Sequence, residues 1–262
     1  MVPCEAQPLN RARAKAPWWL PAPKGATTRR MRIDKPTTEG RLIKRYKRFL
    51  ADVEMDDGET LTAHCPNTGS MKGCLEAGAK VVLRDSQNPA RKLQYTLQTI
   101  EVDGTWVNVD TGLPEALAFE AIQAGLIPSL TGFAKARREV KYGKSSRIDV
   151  LLEDEKKGRC YVEVKNTTLV DGKLAMFPDA VTERGRKHLY ELASMVAEGH
   201  RAVMLYIVSR DDVTSFSPCE AIDPAYTESL REVTAQGVEV LAYSTRVEPN
   251  SFDLHKALKV KL

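Results

Sequence analysis

The sequence contains no hydrophobic run long enough to cross a membrane. Its longest apolar stretch, residues 202–208, has seven residues, whereas a membrane-spanning helix needs about 20. Near the start, the apolar residues 18–20 are too few and too close to prolines to form the core of a secretory signal. We therefore expect a chain with no membrane partner and no secretory signal.

Cysteine is scarce, and the cysteines that are present are odd in number and dispersed. Five cysteines cannot form a fully paired disulfide framework, so their pattern indicates reduced thiols and predicts a cytoplasmic location. His64, Cys65 and Cys74 lack the spacing of zinc ligands, and we do not expect a zinc site there.

An excess of one charge is missing from most of the chain. Residues 1–33 carry seven basic side chains and one acid, a net charge of +6. Because the whole chain carries +4, the other 229 residues carry a net charge of −2. Any nucleic-acid surface on the folded part must therefore be a local patch rather than a global positive field.

The pattern along the chain predicts a disordered extension followed by two domains. Residues 1–34 are rich in Pro, Ala and Arg and read as a disordered basic extension, unless translation starts at Met31. Between 35 and 111, five short segments (41–53, 59–64, 80–84, 95–102 and 105–110) with Asp-Gly turns predict an OB-like β-barrel domain. Residues 112–262 are predicted to form the second domain, a mixed sheet flanked by helices.

The first barrel segment is a candidate nucleic-acid surface. Residues 41–50 carry five cations interleaved with Tyr46 and Phe49, and cations for phosphates with rings for bases are what a single-strand groove requires. The candidate residues are Lys44, Arg45, Tyr46, Lys47 and Arg48. An ordinary amphipathic strand with a solvated basic face remains an equal alternative.

A tight loop over residues 65–73 contributes two further candidates, Asn67 and Thr68. Proline, asparagine and two glycines specify a turn whose backbone amides could converge on a phosphate. The loop lacks the glycine that precedes the lysine of a P-loop. We favour a structural turn and keep phosphate contact as the alternative.

The chemistry of the second domain centres on a predicted hairpin of residues 146–152 and 160–166. Side chains alternate faces along a strand, so Glu163 and Lys165 lie on one face, and the facing strand carries a single acid, Asp149, within an apolar run. If the register sets Asp149 beside Glu163, two carboxylates form a hard-oxygen site for Mg²⁺ next to an ammonium group, an arrangement suited to phosphodiester hydrolysis. A solvated ion pair is the alternative.

The order of the surrounding elements resembles the core of PD-(D/E)xK nucleases. A helix over 113–125 precedes strand 138–142 and the hairpin, and in nucleases of this type such a helix often supplies a further acid, for which we choose Glu120. After a loop over 166–176, a helix ending at Gly199 places Arg184, Lys187 and His188 opposite its apolar stripe, where they could contact a phosphate. A solvated face is the alternative.

The rest of the second domain is predicted from apolar runs and caps. Residues 202–208 show no alternation and predict a central strand buried on both faces. Asp223-Pro224 predicts the start of a last helix, and residues 238–243 predict a final strand. Residues from about 244 onward read as a peripheral tail.

Several segments resemble the sugar fermentation stimulation protein family. The matching segments are residues 45–53, 64–69, 139–143, 146–149, 163–165, 177–185 and 237–243. The resemblance implies an N-terminal OB-like domain, a C-terminal PD-(D/E)xK nuclease-like domain, DNA binding and a link to bacterial sugar metabolism. It carries the nuclease signature onto Asp149, Glu163 and Lys165 without establishing catalysis, since nuclease folds also serve as binders.

Three functions follow as hypotheses. The first is a DNA-binding protein whose second domain is a Mg²⁺-dependent nuclease, with Asp149, Glu163 and Glu120 as metal ligands and Lys165 positioning water. The second is a non-catalytic DNA-binding regulator of sugar metabolism genes with the same fold. The third is a sugar-binding barrel, which the single tryptophan of that region, Trp106, disfavours. The oligomeric state stays open, a homodimer being one option.

Overall fold

The computed structural model describes residues 31–32, 35–143 and 146–262. The predicted extension, residues 1–34, therefore lies outside the described residues except at its end. There Met31–Arg32 form a short strand, β1, which pairs antiparallel with Phe252 and Ser251 near the other end of the chain. No helix in the described ranges is long and apolar enough to span a membrane.

The N-terminal domain is a closed ring of antiparallel strands. Its strands are β2 (Thr37–Tyr46), β3 (Leu50–Glu54), β4 (Thr60–His64), β5 (Lys80–Asp85), β6 (Tyr95–Val102) and β7 (Thr105–Asn108). They run in the order β4-β3-β2-β5-β6-β7, and a pairing of His64 with Thr96 closes the ring between β4 and β6. The predicted OB-like architecture is confirmed.

One element of this domain differs from its prediction. Residues 41–53 were expected to form a single segment, but β2 ends at Tyr46 and the chain turns back into β3. At this turn Lys47 and Arg48 adopt positive φ angles of 49° and 66°, which residues other than glycine seldom adopt. Asp57-Gly58 and Asp103-Gly104 form turns where the sequence predicts them.

The second domain is built on a seven-stranded mixed sheet. Its strand order is β1-β16-β15-β13-β10-β9-β8, with β10, β13 and β15 mutually parallel and β8, β9 and β16 antiparallel to their neighbours. The strands after β7 are β8 (Lys135–Tyr142), β9 (Ser146–Asp154), β10 (Gly158–Thr167), β11 (Val170–Asp171), β12 (Leu174–Phe177), β13 (Arg201–Val208), β14 (Ser215–Pro218), β15 (Glu239–Glu248), β16 (Ser251–Ala257) and β17 (Lys259–Val260).

Helices cover both faces of this sheet. Helix α1 (Leu113–Gln123) packs on the face that carries Val150 and Val162. Helices α2 (Glu183–Ala197) and α3 (Pro224–Ala235) pack on the opposite face, against Tyr161 and Tyr206. Strand β13 lies in the middle of the sheet and is buried on both faces, as its unbroken apolar run predicts.

Local chemistry explains where α2 and α3 begin. The hydroxyl of Thr182 accepts a hydrogen bond from the amide of Gly185 (3.1 Å), which caps α2. The carboxylate of Asp223 accepts one from the amide of Tyr226 (2.9 Å) and caps α3. The predicted helix starting after Asp223 is therefore confirmed, and it ends before Gly237 as expected.

Two predictions in this domain were wrong. Residues 166–176 do not form a plain loop, because β10 continues through Thr167 and β11 pairs with β12 around a Gly172-Lys173 turn. Residues beyond 244 are not peripheral, because β15 continues to Glu248 and β16 returns along it. Phe252 and Leu254 of β16 are buried in the same cluster as α1, so this edge completes the core.

Candidate metal and nucleic-acid site

The predicted hairpin exists and brings its two acids together. Strands β9 and β10 pair antiparallel as far as Val150 with Val162, and one further step along this register sets Asp149 opposite Glu163. Beyond that pair the two strands are linked through a side chain. The carboxylate of Asp149 accepts a hydrogen bond of 2.6 Å from the amide of Val164. This bond fixes the Asp149 side chain across β10, beside Glu163.

Glu163 is held in place from two directions. Only 1% of the residue is exposed. Its Oε1 accepts a hydrogen bond from Lys165 Nζ at 2.6 Å and contacts Nδ1 of His188 on α2. Burial opposes ionisation of Glu163, but the hydrogen bonds from His188 and Lys165 and the positive charge of Lys165 outweigh it, and its pKa is lowered. Glu163 is therefore a fixed, ionised carboxylate.

Asp149 responds in the opposite direction. Burial and the negative charge of Glu163 raise the pKa of Asp149 to about 7, although the Val164 amide and Lys165 favour its ionised form. Two adjacent carboxylates that repel each other where water is largely excluded are stabilised by a bound cation. A divalent ion between them would remove that repulsion.

The donor set fits a hard divalent cation. The second carboxylate oxygen of Glu163, Oε2, is buried and has no hydrogen-bond partner among the described residues, although buried carboxylate oxygens normally have one. No three His, Cys, Asp or Glu side chains converge as a complete ligand set within the described ranges.

The acid of α1 whose charge affects the pKa of Asp149 is Glu115, whereas Glu120 was chosen from the sequence. Glu115, in the first turn of α1, raises the pKa of Asp149 by its charge and forms an ion pair with Arg138 of β8 (2.9 Å). Glu120 makes no hydrogen bond or ion pair with Asp149 or Glu163 in the described structure, and its assignment as a ligand stays a prediction. From the sequence, Glu115 was the other acid of this helix but was not chosen, and Arg138 was given no role in the site.

Strand β8 has an unusual backbone where it passes Asp149. Glu139 lies opposite Asp149 in the register of β8 with β9, is exposed, and adopts a φ of 51°. A left-handed conformation at a residue other than glycine or asparagine is uncommon and tends to occur at functional sites. Its carbonyl oxygen accepts a hydrogen bond from Arg147 (3.2 Å).

His188 lies in a different place from the one predicted. It was expected on the solvated face of α2, but the residue is only 7% exposed and faces the sheet, where it contacts Glu163. It lies 3.4 Å from Lys165 Nζ and accepts a hydrogen bond of 3.4 Å from Arg184 Nε. The predicted solvated position of His188 is therefore wrong, its side chain contacts Glu163 instead, and phosphate contact by His188 stays a prediction.

The other two cations of α2 lie where they were predicted. Arg184 and Lys187 are exposed in the first turns of the helix. Lys187 forms an ion pair with Glu191 (3.6 Å), and Arg184 donates to His188. Arg184 is thus linked to the carboxylate site through His188, and both cations remain candidates for phosphate contact.

The cations of β2 divide into two groups. Nη2 of Arg45 lies 2.7–2.9 Å from the carbonyl oxygens of Arg48, Asn67 and Gly69, and Arg48 donates two hydrogen bonds to the carbonyl of Thr68. These two arginines hold the 65–73 loop in place.

The remaining three candidates of that segment lie nearer to solvent. Lys44 pairs with Asp52 at 3.7 Å and lies over the Tyr46 ring, whose hydroxyl also contacts Asp52. Lys47 is exposed at the turn. Lys44, Tyr46 and Lys47 therefore stay predictions as nucleic-acid contacts.

The loop of Asn67 and Thr68 is a structural turn, the interpretation that the sequence favours. The amide of Gly69 is bound by Asn67 Oδ1 (2.8 Å), and the amide of Met71 is bound by Asp179 of the second domain (2.9 Å). Lys72 donates its amide to Ser70 (3.2 Å). Three amides of the loop, those of Gly69, Met71 and Lys72, are thus already used within the protein, while Thr68 itself is exposed.

Comparison with known proteins decides the family. The model described as "Sugar fermentation stimulation protein RE domain" matches residues 112–251, and the "SfsA N-terminal OB domain" model matches residues 43–109. The chain belongs to the sugar fermentation stimulation protein family. The sugar fermentation stimulation protein homolog of Geobacter metallireducens is 53% identical over 233 residues, 88% of this chain and 100% of that protein.

Other relatives match over the same share of this chain. The homolog of Maricaulis maris is 51% identical and covers 88% of this chain and 99% of its own length. Among solved structures, that of Pyrococcus furiosus SfsA in complex with Ca²⁺ is 28% identical, with a TM-score of 0.80 over 88% of this chain and 100% of that chain. The family assignment therefore covers both domains.

Proposed function

We propose that this sugar fermentation stimulation protein is a Mg²⁺-dependent DNA phosphodiester hydrolase. The observation that carries the proposal is the pair Asp149 and Glu163, set side by side on neighbouring strands with a buried, unpartnered oxygen on Glu163. Lys165 lies beside them, with its ammonium group 2.6 Å from Glu163. Two carboxylates that can hold a cation, with an amine beside them, are the groups that metal-assisted phosphodiester hydrolysis needs.

A relative supports the divalent cation. The Pyrococcus furiosus protein was solved in complex with Ca²⁺. Ca²⁺ and Mg²⁺ are both hard cations that prefer carboxylate oxygens, and Mg²⁺ is the one that proteins pair with substrate phosphates. Asp149 and Glu163 would hold the ion here, with Glu115 or Glu120 as the acid supplied by α1.

The chain's own residues divide the remaining work. A bound cation would polarise the phosphodiester and favour ionisation of water. Lys165 would orient the attacking water or stabilise charge developing on the phosphate oxygens. His188 keeps Oε1 of Glu163 fixed, and Oε2, which has no hydrogen-bond partner among the described residues, would bind the cation. Arg184 and Lys187 would bind a phosphate beside the one that is cut.

The N-terminal domain would supply DNA contacts. Its exposed candidates are Lys44, Lys47 and Thr68, with half-buried Tyr46 among them, and exposed Phe49 (47%) stands at the turn. Cations and rings on one edge of an OB-like sheet are suited to a nucleic-acid strand because the cations bind the backbone and the rings stack on bases. DNA would then run from this edge toward α2.

Cleavage assays test the proposal. Supercoiled and single-stranded DNA are incubated with the protein in Mg²⁺, Mn²⁺ or EDTA. We expect cleavage that EDTA abolishes and that Glu163→Gln and Asp149→Asn each lower by about 10²-fold or more. Glu155→Gln, an exposed acid in the turn of the same hairpin, is the matched control and should cleave like wild type. Full cleavage by Glu163→Gln would reject the assignment.

One observation favours a second function. Oε1 of Glu163 is already used by Lys165 and His188, so the site is satisfied in part without any cation. A non-catalytic DNA-binding regulator of sugar metabolism genes would show salt-dependent DNA binding, no response to EDTA and no cleavage with any divalent ion. The same samples distinguish the two functions.

A further inference from the structure

A cavity of about 300 Å³ lies where the two domains meet. One wall is the loop of Asn67, Thr68 and Gly69. The other wall is formed by Thr167 at the end of β10 and by Phe177 at the end of β12. Its volume is at the lower end of the range of small-molecule sites, about 300–1,000 Å³. It is therefore large enough for one planar group rather than for a long chain.

The lining of the cavity does not suit a phosphate. Among the described residues that line it there is no lysine, arginine or histidine side chain, and the charged one, Asp179, is negative. The carboxylate of Asp179 and the amides of Gly69 and Met71 are used within the protein. An anion would find no cation there, and the nearest charge, on Asp179, would repel it.

Neutral polar groups and an apolar wall are present instead. Thr167 is 2% exposed, and its hydroxyl has no hydrogen-bond partner within the described residues, although buried hydroxyls normally have one. Met176 and the half-buried ring of Phe177 form an apolar surface beside it. A heterocycle that offers a hydrogen-bonding edge and a flat face matches this combination.

The cavity shares a strand with the carboxylate site. Val164, which lines the cavity, lies between Glu163 and Lys165 on β10, and its amide binds Asp149. Thr68 lines the cavity from the other side, and Arg48 donates to its carbonyl oxygen. A strand whose phosphate lies at the carboxylates would bring a neighbouring base to the cavity mouth.

We propose that this cavity binds one unstacked nucleobase of the DNA strand held at the carboxylate site. The inference rests on the proposed function, because it takes its ligand from the strand that the site would bind. It adds a substrate preference: a strand with a single-stranded or extruded base next to the target phosphate binds better than a fully paired one. The protein supplies the base with neutral hydrogen-bonding groups and an apolar wall, not with charge.

A single base on an otherwise base-free strand tests this without cleavage. One probe is a ten-unit strand made only of tetrahydrofuran abasic units, and the other carries one thymine at its centre. Both probes have the same backbone charge, so the ratio of their affinities reports on the base alone. Binding is measured by fluorescence anisotropy in EDTA, and we expect the thymine strand to bind about tenfold more tightly to the full-length protein.

Two variants locate the base. Thr68→Tyr fills the cavity from an exposed position, and Thr167→Val removes the unpartnered hydroxyl at nearly constant shape. Both should reduce the tenfold preference, Thr68→Tyr to about one, where the preference is the ratio of the two affinities and any change common to both strands cancels. Thr60→Tyr, an exposed threonine on β4, is the matched control and should keep the preference.

Each other outcome overturns the inference. Equal affinity of wild type for the two strands means that no base is bound. A preference that survives in Thr68→Tyr but is lost in Phe49→Ala places the base at the exposed ring instead. Saturable binding of free deoxyribose at this cavity, with no preference for the thymine strand, makes it a sugar site. The cleavage assay is independent of all three, so failure here leaves the proposed hydrolase standing, and loss of Mg²⁺-dependent cleavage rejects that separately.

Discussion

Asp149 is the residue at which folding and function conflict. In the unfolded chain its carboxyl group has an ordinary pKa of 3.8, and in the fold the pKa is raised to about 7. The folded state therefore binds the extra proton between these pH values. The stability contributed by the protonated group is fully present below pH 3.8 and is lost as the pH rises through about 7. At higher pH without a cation, the ionised carboxylate destabilises the fold.

Replacing Asp149 by Asn should therefore stabilise the metal-free protein at high pH. The amide keeps an oxygen for the Val164 hydrogen bond and removes the charge that Glu163 repels. In EDTA at pH 8.5 we expect the free energy of unfolding to rise by about 2–4 kcal/mol, with little change near pH 4. Urea denaturation at both pH values measures it. Addition of Ca²⁺ should stabilise wild type and reverse the order.

Glu155→Gln provides the matched control for that comparison, since Glu155 is exposed in the hairpin turn. Its stability should follow wild type at both pH values. An Asp149→Asn protein that is less stable than wild type at pH 8.5 would show that the carboxylate stabilises the fold through partners other than a cation.

The sequence predicted part of this site because strand alternation is local. Three residues of β10 suffice to set Glu163 and Lys165 on one face, and the apolar run around Asp149 marks it as unusual. The partner of Glu163 on α2 could not be predicted in the same way. His188 is polar and follows a stretch of cations, so sequence periodicity assigns it to solvent, whereas the Glu163 carboxylate draws it into the interior.

At the scale of elements, the turn between β2 and β3 is stabilised by side chains that resemble DNA contacts in sequence. Arg45 lies within hydrogen-bonding distance of three carbonyl oxygens, two of them in the 65–73 loop. Lys47, two residues later, is exposed. From the sequence alone, Arg45 and Lys47 are both candidates for DNA contact. Only the position of the 65–73 loop shows that Arg45 binds the loop and Lys47 does not.

Arg45→Ala should accordingly lower the free energy of unfolding by about 2–4 kcal/mol, because several charge-assisted hydrogen bonds to buried or half-buried carbonyl oxygens are lost together. Lys47→Ala should change the free energy of unfolding by less than about 0.5 kcal/mol. Thermal or urea denaturation of the two variants measures the difference. Similar losses in both variants would show that the arginine contacts add nothing beyond the charge.

Elements that depend on distant partners were the harder ones to predict. The residues of β11 and β12 form a short pair that is completed by β14, about forty residues later, and β16 is held by β15 and α1. Neither has a long apolar period of its own. Long, periodic or apolar elements such as α2 and β13 were predicted because their own residues determine them.

At the scale of the whole molecule, the position of the two domains relative to each other is set by a few polar contacts. The backbone amide of Asn108 donates to the carbonyl of Ser209 (3.0 Å), and the side-chain amide of Asn108 donates to the hydroxyl of Ser209 (3.4 Å). Opposite them, Asp179 of the second domain receives the 65–73 loop of the first. No pattern in the sequence pairs residues a hundred positions apart, so the family resemblance predicted two domains without their junction.

Asp179 is the side chain whose removal tests that junction. Its Oδ2 accepts hydrogen bonds from the amide of buried Met71 (2.9 Å) and from the hydroxyl of Ser70 (3.1 Å). Asp179→Ala leaves that amide without a partner, so we expect the free energy of unfolding to fall by about 1–3 kcal/mol. Hydrogen exchange in residues 65–73, followed by mass spectrometry, should become faster, while exchange in β13 stays unchanged. Asp171→Ala, an exposed acid in the β11 turn, is the control. Unchanged exchange in residues 65–73 would mean that Arg45 and Arg48 alone hold the loop, and that the cavity between the domains does not depend on Asp179 for its shape.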